Sequence, residues 1–163
     1  MSQIRTAKTV FLTLGLTETW TDVVTGIVMN NPLGGMDLRR HKERFTFTNY
    51  GYQEVLNELE YFIALVRDTC NSDMHFVVTV SPVPLGVTFT ASDIIVANTH
   101  SKSTLRAVAA TISSKLSYVD YFPSYELVIH SPRTLAWKAD QLHVQDGMVE
   151  HVMQEFVNAY WPQ

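Results

Sequence analysis

Asp140 and His143 combine the residue types and the spacing that a proton-transfer site requires. The imidazole of a histidine can take a proton from a hydroxyl group near neutral pH. A carboxylate three residues earlier can curl back, accept a hydrogen bond from the other ring nitrogen and fix the tautomer of the ring. The pair therefore supplies two of the three groups of a nucleophile–base–orienter site.

The Asp-x-x-His pattern is short, and two other interpretations of it stay open. In one, the segment is a turn at the start of a helix, where Asp140 caps backbone N–H groups and His143 lies on the surface. In the other, His143, Asp146 and His151 bind a metal ion. Scattered His and Asp residues near a helix start are usually solvated, so no metal site is predicted.

The composition describes one folded domain and excludes several classes of partner. Of the 163 residues, 46% are hydrophobic and 17% are charged, which is typical of a globular chain, and a single domain over residues 1–163 is expected. The net charge is −4 and Lys and Arg do not cluster, so nucleic acid is not a predicted partner. The single cysteine, Cys70, excludes an internal disulfide and a cysteine-based zinc site, and no cofactor is predicted.

The hydropathy of the chain predicts a soluble, cytoplasmic protein. No apolar run approaches the roughly 20 residues that a membrane-spanning helix needs. Residues 1–10 lack the apolar region of a signal peptide.

Apolar, β-rich segments alternate with amphipathic segments along the chain. Runs of β-branched and aromatic residues predict strands over residues 9–14, 75–80 and 118–122. Apolar residues at helical spacing predict helices over residues 50–69, 101–116 and 146–160. The alternation predicts right-handed crossovers and a parallel sheet that is covered by helices on both sides.

Cap and loop residues complete this outline. Asn49 is the expected N-cap of the first helix, and Asn98 or Ser101 that of the second. Residues 21–47 are expected to be irregular, apart from a short edge strand at residues 45–47.

The carboxyl ends of the strands are where a site is expected, because ligands of parallel sheets bind in the crevice there. Three segments follow predicted strands and should meet at that edge: Gly15–Glu18, Ser81–Leu85 and Pro123–Glu126. Gly15 lets the backbone turn and lets a ligand approach closely. Glu18 is expected to line the crevice, and His143, just before the last helix, can reach it.

Five sequence blocks, in order along nearly the whole chain, resemble those of the GSCFA domain family. The blocks are Thr13-Leu-Gly-Leu-Thr-Glu-Thr-Trp20, Thr79-Val-Ser-Pro-Val-Pro-Leu85, Val96-Ala-Asn-Thr-His-Ser-Lys102, Asp120-Tyr-Phe-Pro-Ser-Tyr-Glu126 and Asp140-Gln-Leu-His143. The family is similar to the SGNH/GDSL hydrolases, which implies a flavodoxin-like, three-layer α/β/α sandwich with a serine nucleophile. By this resemblance Asp140 corresponds to the orienting acid and His143 to the base. Gly15-x-Thr17 falls where many relatives carry Gly-x-Asn, whose amide helps form the oxyanion hole.

The nucleophile is the point where the chain departs from this family. The family is named for a Gly-Ser-Cys-Phe-Ala block that carries the presumed serine, and this sequence contains neither that block nor Gly-x-Ser-x-Gly or Gly-Asp-Ser. We therefore expect an N-terminally incomplete domain that lacks the first one or two strands. Ser81, Ser101 and Ser124 are expected to be cap or turn residues, so no nucleophile is found.

The resemblance implies an acyl-ester hydrolase or O-acyltransferase that acts on a carbohydrate or lipid ester, provided that the nucleophile is supplied. The expected partner is then a small-molecule or glycan ester substrate. The alternative is a catalytically inactive relative that binds a glycan or a protein through the same crevice. Missing strands would leave an exposed sheet edge, which favours a homo-oligomer.

Overall fold

The computed structural model describes residues 2–29 and 40–161. Its strands are β1 (Thr9–Leu14), β2 (Glu18–Asp22), β3 (Ile27–Val28), β4 (Phe45–Asn49), β5 (His75–Val80) and β6 (Val119–Tyr121). Its described helices are α1 (Ser2–Thr6), α2 (Tyr52–Thr69), α3 (Ile94–Lys115), α4 (Ser124–Ile129), α5 (Arg133–Ala136) and α6 (Asp146–Tyr160), and a 3-10 turn spans Lys42–Arg44.

A parallel sheet in the order β1-β5-β6 forms the centre of the fold, with helices on both sides. Thr9 pairs with His75 and Phe76 pairs with Val119, so the three strands end at a common edge. The predicted α/β fold with a parallel sheet is confirmed. Strands β1 and β5 coincide with the predicted segments, and β6 is shorter than the predicted 118–122.

One face of the sheet carries the main core. The inward-facing side chains of β5 are fully buried there against apolar residues of α2 and α3. These are Phe76, Val78 and Val80 of β5, Leu56, Leu59, Ile63 and Val66 of α2, and Leu105, Val108, Ala109 and Ile112 of α3. Helix α3 contacts both β5 and β6, so it lies across the sheet.

The opposite face is covered more thinly. Helix α6 contributes Phe156, whose ring packs edge-on against Phe11 of β1 at 4.9 Å and against Phe122 at 5.2 Å between ring centroids. Phe11 nevertheless stays 53% exposed. A smaller cluster of Val128, Ala136 and Trp137 supports the segment that leads into α6.

Both predicted helix starts are wrong, because the expected cap residues have other partners. Helix α3 begins at Ile94, where the carboxylate of Asp93 accepts the N–H of Ile95. Asn98 and Ser101 lie inside the helix and face the core side. The apolar residues at 94–96 do not continue the helical spacing of the buried stripe, because they lie largely outside it, so the sequence did not predict a helix there.

Helix α2 is capped at Gly51, whose N–H donates to the carboxylate of Glu54 at 2.6 Å. Asn49, the predicted cap, ends strand β4 instead.

The expectation of irregular structure over residues 21–47 is also wrong in part. Strands β2, β3 and β4 form a small antiparallel sheet in the order β3-β2-β4, so the predicted edge strand at 45–47 exists as part of β4. The ring of Trp20 packs between those of Phe47 and Phe89, which holds this sheet against the loop after β5. Residues 30–39 of the predicted segment lie outside the described residues.

Candidate active site

The Asp140–His143 segment lies in a loop that is closed by its own backbone. Trp137 and Val144 form an antiparallel bridge, and the N–H of Lys138 donates to the carbonyl of His143 at 2.8 Å. Gln141 at the tip has a left-handed backbone with φ of 58°. Its side-chain amide donates to the Lys138 carbonyl, which helps to offset the cost of that conformation. The loop is therefore closed by bonds among residues 137–145, and Arg133 adds a hydrogen bond from its side chain to that of Gln141 at 3.0 Å.

Asp140 uses both carboxylate oxygens within this loop. Oδ1 accepts the backbone N–H groups of Leu142 and His143, both at 3.0 Å. Oδ2 lies 2.6 Å from Nδ1 of His143. The N–H of His143, the ring of His143 and the N–H of Leu142 hold the pKa of Asp140 well below its usual value. Asp140 is thus an ionised acceptor near neutral pH.

An ionised carboxylate can only accept, so Nδ1 of His143 must donate and carry the proton. The other ring nitrogen, Nε2, makes no hydrogen bond within the described part of the chain. The His143 side chain is 68% exposed and that of Asp140 46%. The ring is therefore oriented by Asp140, and it is reachable from solvent. Asp140 caps backbone donors and orients the ring at once, so the helix-entry interpretation and the active-site interpretation fit the same geometry.

The Gly15–Thr17 turn is built in the opposite way, by residues far away in the sequence. Thr17 is 1% exposed. Its N–H donates to Oγ of Ser101 at 2.8 Å, and its hydroxyl donates to Oδ1 of Asn49 at 2.7 Å. Both donors of Thr17 are thus engaged inside the protein. The prediction that Thr17 lines an oxyanion hole would require one of these hydrogen bonds to be released.

Lys102 also contacts this turn, an arrangement that the sequence did not predict. Its side chain is 2% exposed, and Nζ donates to the carbonyl of Gly15 at 2.8 Å. Burial lowers the pKa of Lys102 to about 8. One signal could have revealed it: Ser101 and Lys102 fall on the helical face that also carries Leu105, the buried stripe of α3.

Glu18 fastens the loop after β5 to this turn. Its carboxylate accepts the Thr88 hydroxyl at 2.6 Å and the Phe89 N–H at 2.9 Å. The N–H of Leu85, in the same loop, donates to Asn98 of α3 at 2.9 Å. The ends of β1 and β5 therefore meet, and they enclose a cavity of about 520 Å³. Its lining includes Gly15, Leu16, Glu18, Trp20, Leu85 and Phe89.

The serines considered as nucleophiles are engaged elsewhere. Ser124, after β6, is buried and donates to the carbonyl of Val80 at 3.1 Å. Ser81 accepts the N–H of Val83, and Ser101 accepts that of Thr17. Within the described part of the chain, His143 has no hydrogen bond to any of the three. The nucleophile is therefore not found among these serines.

The two halves of the predicted site are each assembled but do not touch. Asp140 and His143 form one unit, and Gly15, Thr17 and Glu18 belong to the other. No hydrogen bond between described residues joins the units, and neither Asp140 nor His143 lines the 520 Å³ cavity. The 520 Å³ cavity thus holds the ends of β1 and β5; no residue of Pro123–Glu126 lines it, and the base stands in a separate loop.

Two further findings concern the surroundings of the site. Among the residues that the structure describes, no group of three or more His, Cys, Asp and Glu side chains could hold a metal ion. Asp146 pairs with Lys138 at 2.7 Å. Within the same residues, none of the helices is both long and apolar enough to cross a membrane.

A comparison with known protein families gives one match. The model of the GSCFA family covers residues 1–156. Searches of curated proteins and of solved structures found no match.

Proposed function

The chain belongs to the GSCFA family, and from this premise we propose that it provides the base of an SGNH-like serine enzyme that acts on a carbohydrate or lipid acyl ester. His143 is the general base and Asp140 its orienting acid. The observation that carries the proposal is the 2.6 Å contact between Nδ1 of His143 and Oδ2 of Asp140, which holds the ring so that Nε2 faces away from the carboxylate on an exposed side chain.

The reaction follows from the orientation of this ring. Nε2 of His143 takes the proton of a serine hydroxyl while the serine oxygen attacks the ester carbonyl. The imidazolium then gives that proton to the departing alkoxide, which leaves an acyl-enzyme. Water or an acceptor hydroxyl attacks the acyl group, His143 takes its proton, and the serine recovers it as the acyl group departs. Asp140 stabilises the imidazolium and keeps its own negative charge throughout.

The serine itself is proposed to come from a segment outside these 163 residues. The sequence holds no Gly-Ser-Cys-Phe-Ala block, and the hydroxyl groups of Ser81, Ser101 and Ser124 are hydrogen-bonded within the fold. The proposal requires that this segment brings the exposed base and the Gly15–Thr17 turn to opposite sides of one ester.

Labelling with a fluorophosphonate probe tests the reaction. The chain is labelled alone and in an extract of its source cells, with His143→Ala and His151→Ala as a matched pair of variants, and the adduct is mapped by peptide sequencing. We expect one labelled serine, outside these 163 residues in a chain that co-purifies with them, and we expect His143→Ala alone to abolish the label. Folded protein that gives no label in either setting, or a label that survives His143→Ala, would refute the enzyme proposal.

A second candidate, a non-catalytic binding module that self-associates, is favoured by the outer edge of β1. Among the described strands, β1 pairs only with β5. Beside that edge the sheet face forms an apolar cavity of about 350 Å³, which Phe11, Phe122 and Phe156 help to line. Sedimentation velocity over a hundredfold range of concentration should show dimers for the wild type and a monomer for Phe11→Lys. A monomer at every concentration would contradict self-association.

A further inference from the structure

Lys102 carries a buried charge that the proposed reaction does not use. Its ammonium group has no carboxylate partner among the described residues, and its one described hydrogen bond is to the carbonyl of Gly15. Burying an ammonium group is unfavourable unless hydrogen bonds and charges compensate for it. Lys102 contacts a turn beside the 520 Å³ cavity, so its charge acts on the backbone of that turn.

The hydrogen bond from Lys102 fixes the direction of a backbone donor. A peptide unit is planar, and no cis peptide bond occurs in the described chain. The N–H of Leu16 therefore points to the side opposite the Gly15 carbonyl, away from Lys102 and from α3. Leu16 is exposed and lines the cavity. Its N–H makes no hydrogen bond within the described residues.

The neighbouring peptide units are fixed in the same manner. The N–H of Ser81 donates to the carbonyl of Leu14 at 2.9 Å, which turns the N–H of Gly15 away from β5. On the other side, Ser101 holds the N–H of Thr17, and the N–H of Tyr50 donates to the Thr17 carbonyl at 3.0 Å. The donor of Leu16 is thus fixed before any ligand arrives, which is the property that makes an oxyanion donor effective.

We propose that the N–H of Leu16, with that of Gly15 beside it, is the oxyanion donor of the site, and that Lys102 is the positioning residue that aims it. A cation bonded to the peptide oxygen also polarises the peptide, so its N–H becomes a stronger donor. The ligand is the carbonyl oxygen of an ester, which becomes anionic when attacked. The assignment to ester chemistry rests on the proposed function, whereas the binding of a tetrahedral anion at Leu16 does not.

Amide NMR of the ¹⁵N-labelled chain, titrated with butylphosphonate at pH 7, tests the assignment. This probe joins a tetrahedral anion to a short apolar tail that suits the cavity. We expect saturable shifts of the Leu16 and Gly15 amide signals. Lys102→Met should weaken the affinity about tenfold, the loss expected when a charge-assisted hydrogen bond disappears. Lys115→Met, on the same helix but paired with Glu60 at the surface, should leave the affinity unchanged.

Ser101→Ala keeps the assignment testable if Lys102→Met does not fold. It frees the N–H of Thr17 but leaves the ammonium group in place, so we expect about a threefold loss of phosphonate affinity. A Leu16 signal that does not move, or affinities that are equal in the wild type and in whichever of these variants folds, would overturn the assignment.

The labelling experiment tests the proposed reaction and the titration tests the anion site at Leu16, so either proposal can fail without the other. Saturable binding at Leu16 without any labelled serine would leave the anion site standing and remove the reaction. A labelled serine without binding at Leu16 would support the reaction and refute this oxyanion donor.

Discussion

The Gly15–Thr17 turn and the 137–145 loop are both short, and both carry proposed functional groups, yet they are held in place differently. Ser101 and Lys102 contact the turn from 84 and 87 residues away in the sequence, through buried hydrogen bonds. The loop is closed by contacts between residues at most nine positions apart, and its functional side chains face solvent. The hydrogen bonds of the turn therefore require that the sheet and α3 have packed, whereas those of the loop join residues that are close in sequence.

We therefore expect substitutions in the turn to change mainly the stability of the fold, and substitutions in the loop to change mainly the proposed proton transfer. Substitutions that break the hydrogen bonds of the turn should also destabilise the fold, because Ser101 and Lys102 lie on the same face of α3 as the core residue Leu105. Disturbing the loop should change proton transfer and leave the fold intact, since exposed ion pairs contribute little to stability.

The largest expected effect is on function alone. His143→Ala should lower the rate of fluorophosphonate labelling by about 10²–10⁴-fold, the usual contribution of a general base. Its thermal midpoint should stay within about a degree of the wild type, because the ring is exposed and replacing such a side chain usually changes stability by at most about 0.5 kcal/mol. Calorimetry checks the second part. A midpoint that falls by many degrees would show that the loop supports the fold.

The next effect should reach the turn through the core. Leu105→Ala removes a side chain that is 3% exposed in the main core, at a cost of about 2–5 kcal/mol in the free energy of unfolding. The free energy of opening that hydrogen exchange reports at the Thr17 amide should fall by the same amount, so this amide should exchange faster. Exchange at the His143 amide should not change. Exchange mass spectrometry of the two segments checks this. Equal acceleration in both would contradict the distinction drawn above.

Lys102 gives the turn a pH dependence of its own. Burial lowers its pKa from 10.5 to about 8, so between these values the unfolded chain binds more protons than the folded one. Stability should then rise with pH across this window, by up to about 3 kcal/mol from Lys102 alone. Denaturant titrations of the wild type and Lys102→Met, compared at pH 7.5 and 10, isolate the contribution, because other titrating groups cancel in the difference. A difference that does not depend on pH would contradict the burial of the charge.

Asp140 should give the smallest effect: its stability contribution also rises with pH, but its charged form stabilises the fold, whereas the buried charge of Lys102 destabilises it. Its lowered pKa makes it a group whose contribution is present above the unfolded value of about 3.8 and is lost as the pH falls through the lower folded value. Asp140→Asn should therefore flatten the acid limb of the stability profile only slightly, since the group is exposed. Thermal melts between pH 2 and 6 check the direction. A variant that unfolds at neutral pH would show that the loop cannot close without this carboxylate.

The parts that were predictable from sequence are those with local signals. The parallel strands and α6 follow from apolar periodicity, and the Asp140–His143 contact follows from a spacing of three residues. The start of α3 could not be predicted, because the residues at 94–96 are apolar without being buried. The role of Lys102 was hidden for a different reason: its partner, Gly15, is close only in the folded chain.

Whether the turn and the loop serve one ester is tested most directly by a single titration. The imidazole signals of His143 and the amide signal of Leu16 are followed together as butylphosphonate is added, with the segment that carries the labelled serine present. The account predicts that both signals shift with the same dissociation constant, because one tetrahedral group lies between the base and the donor. A shift of one signal without the other, or two different dissociation constants, would mean that the turn and the loop do not share a site.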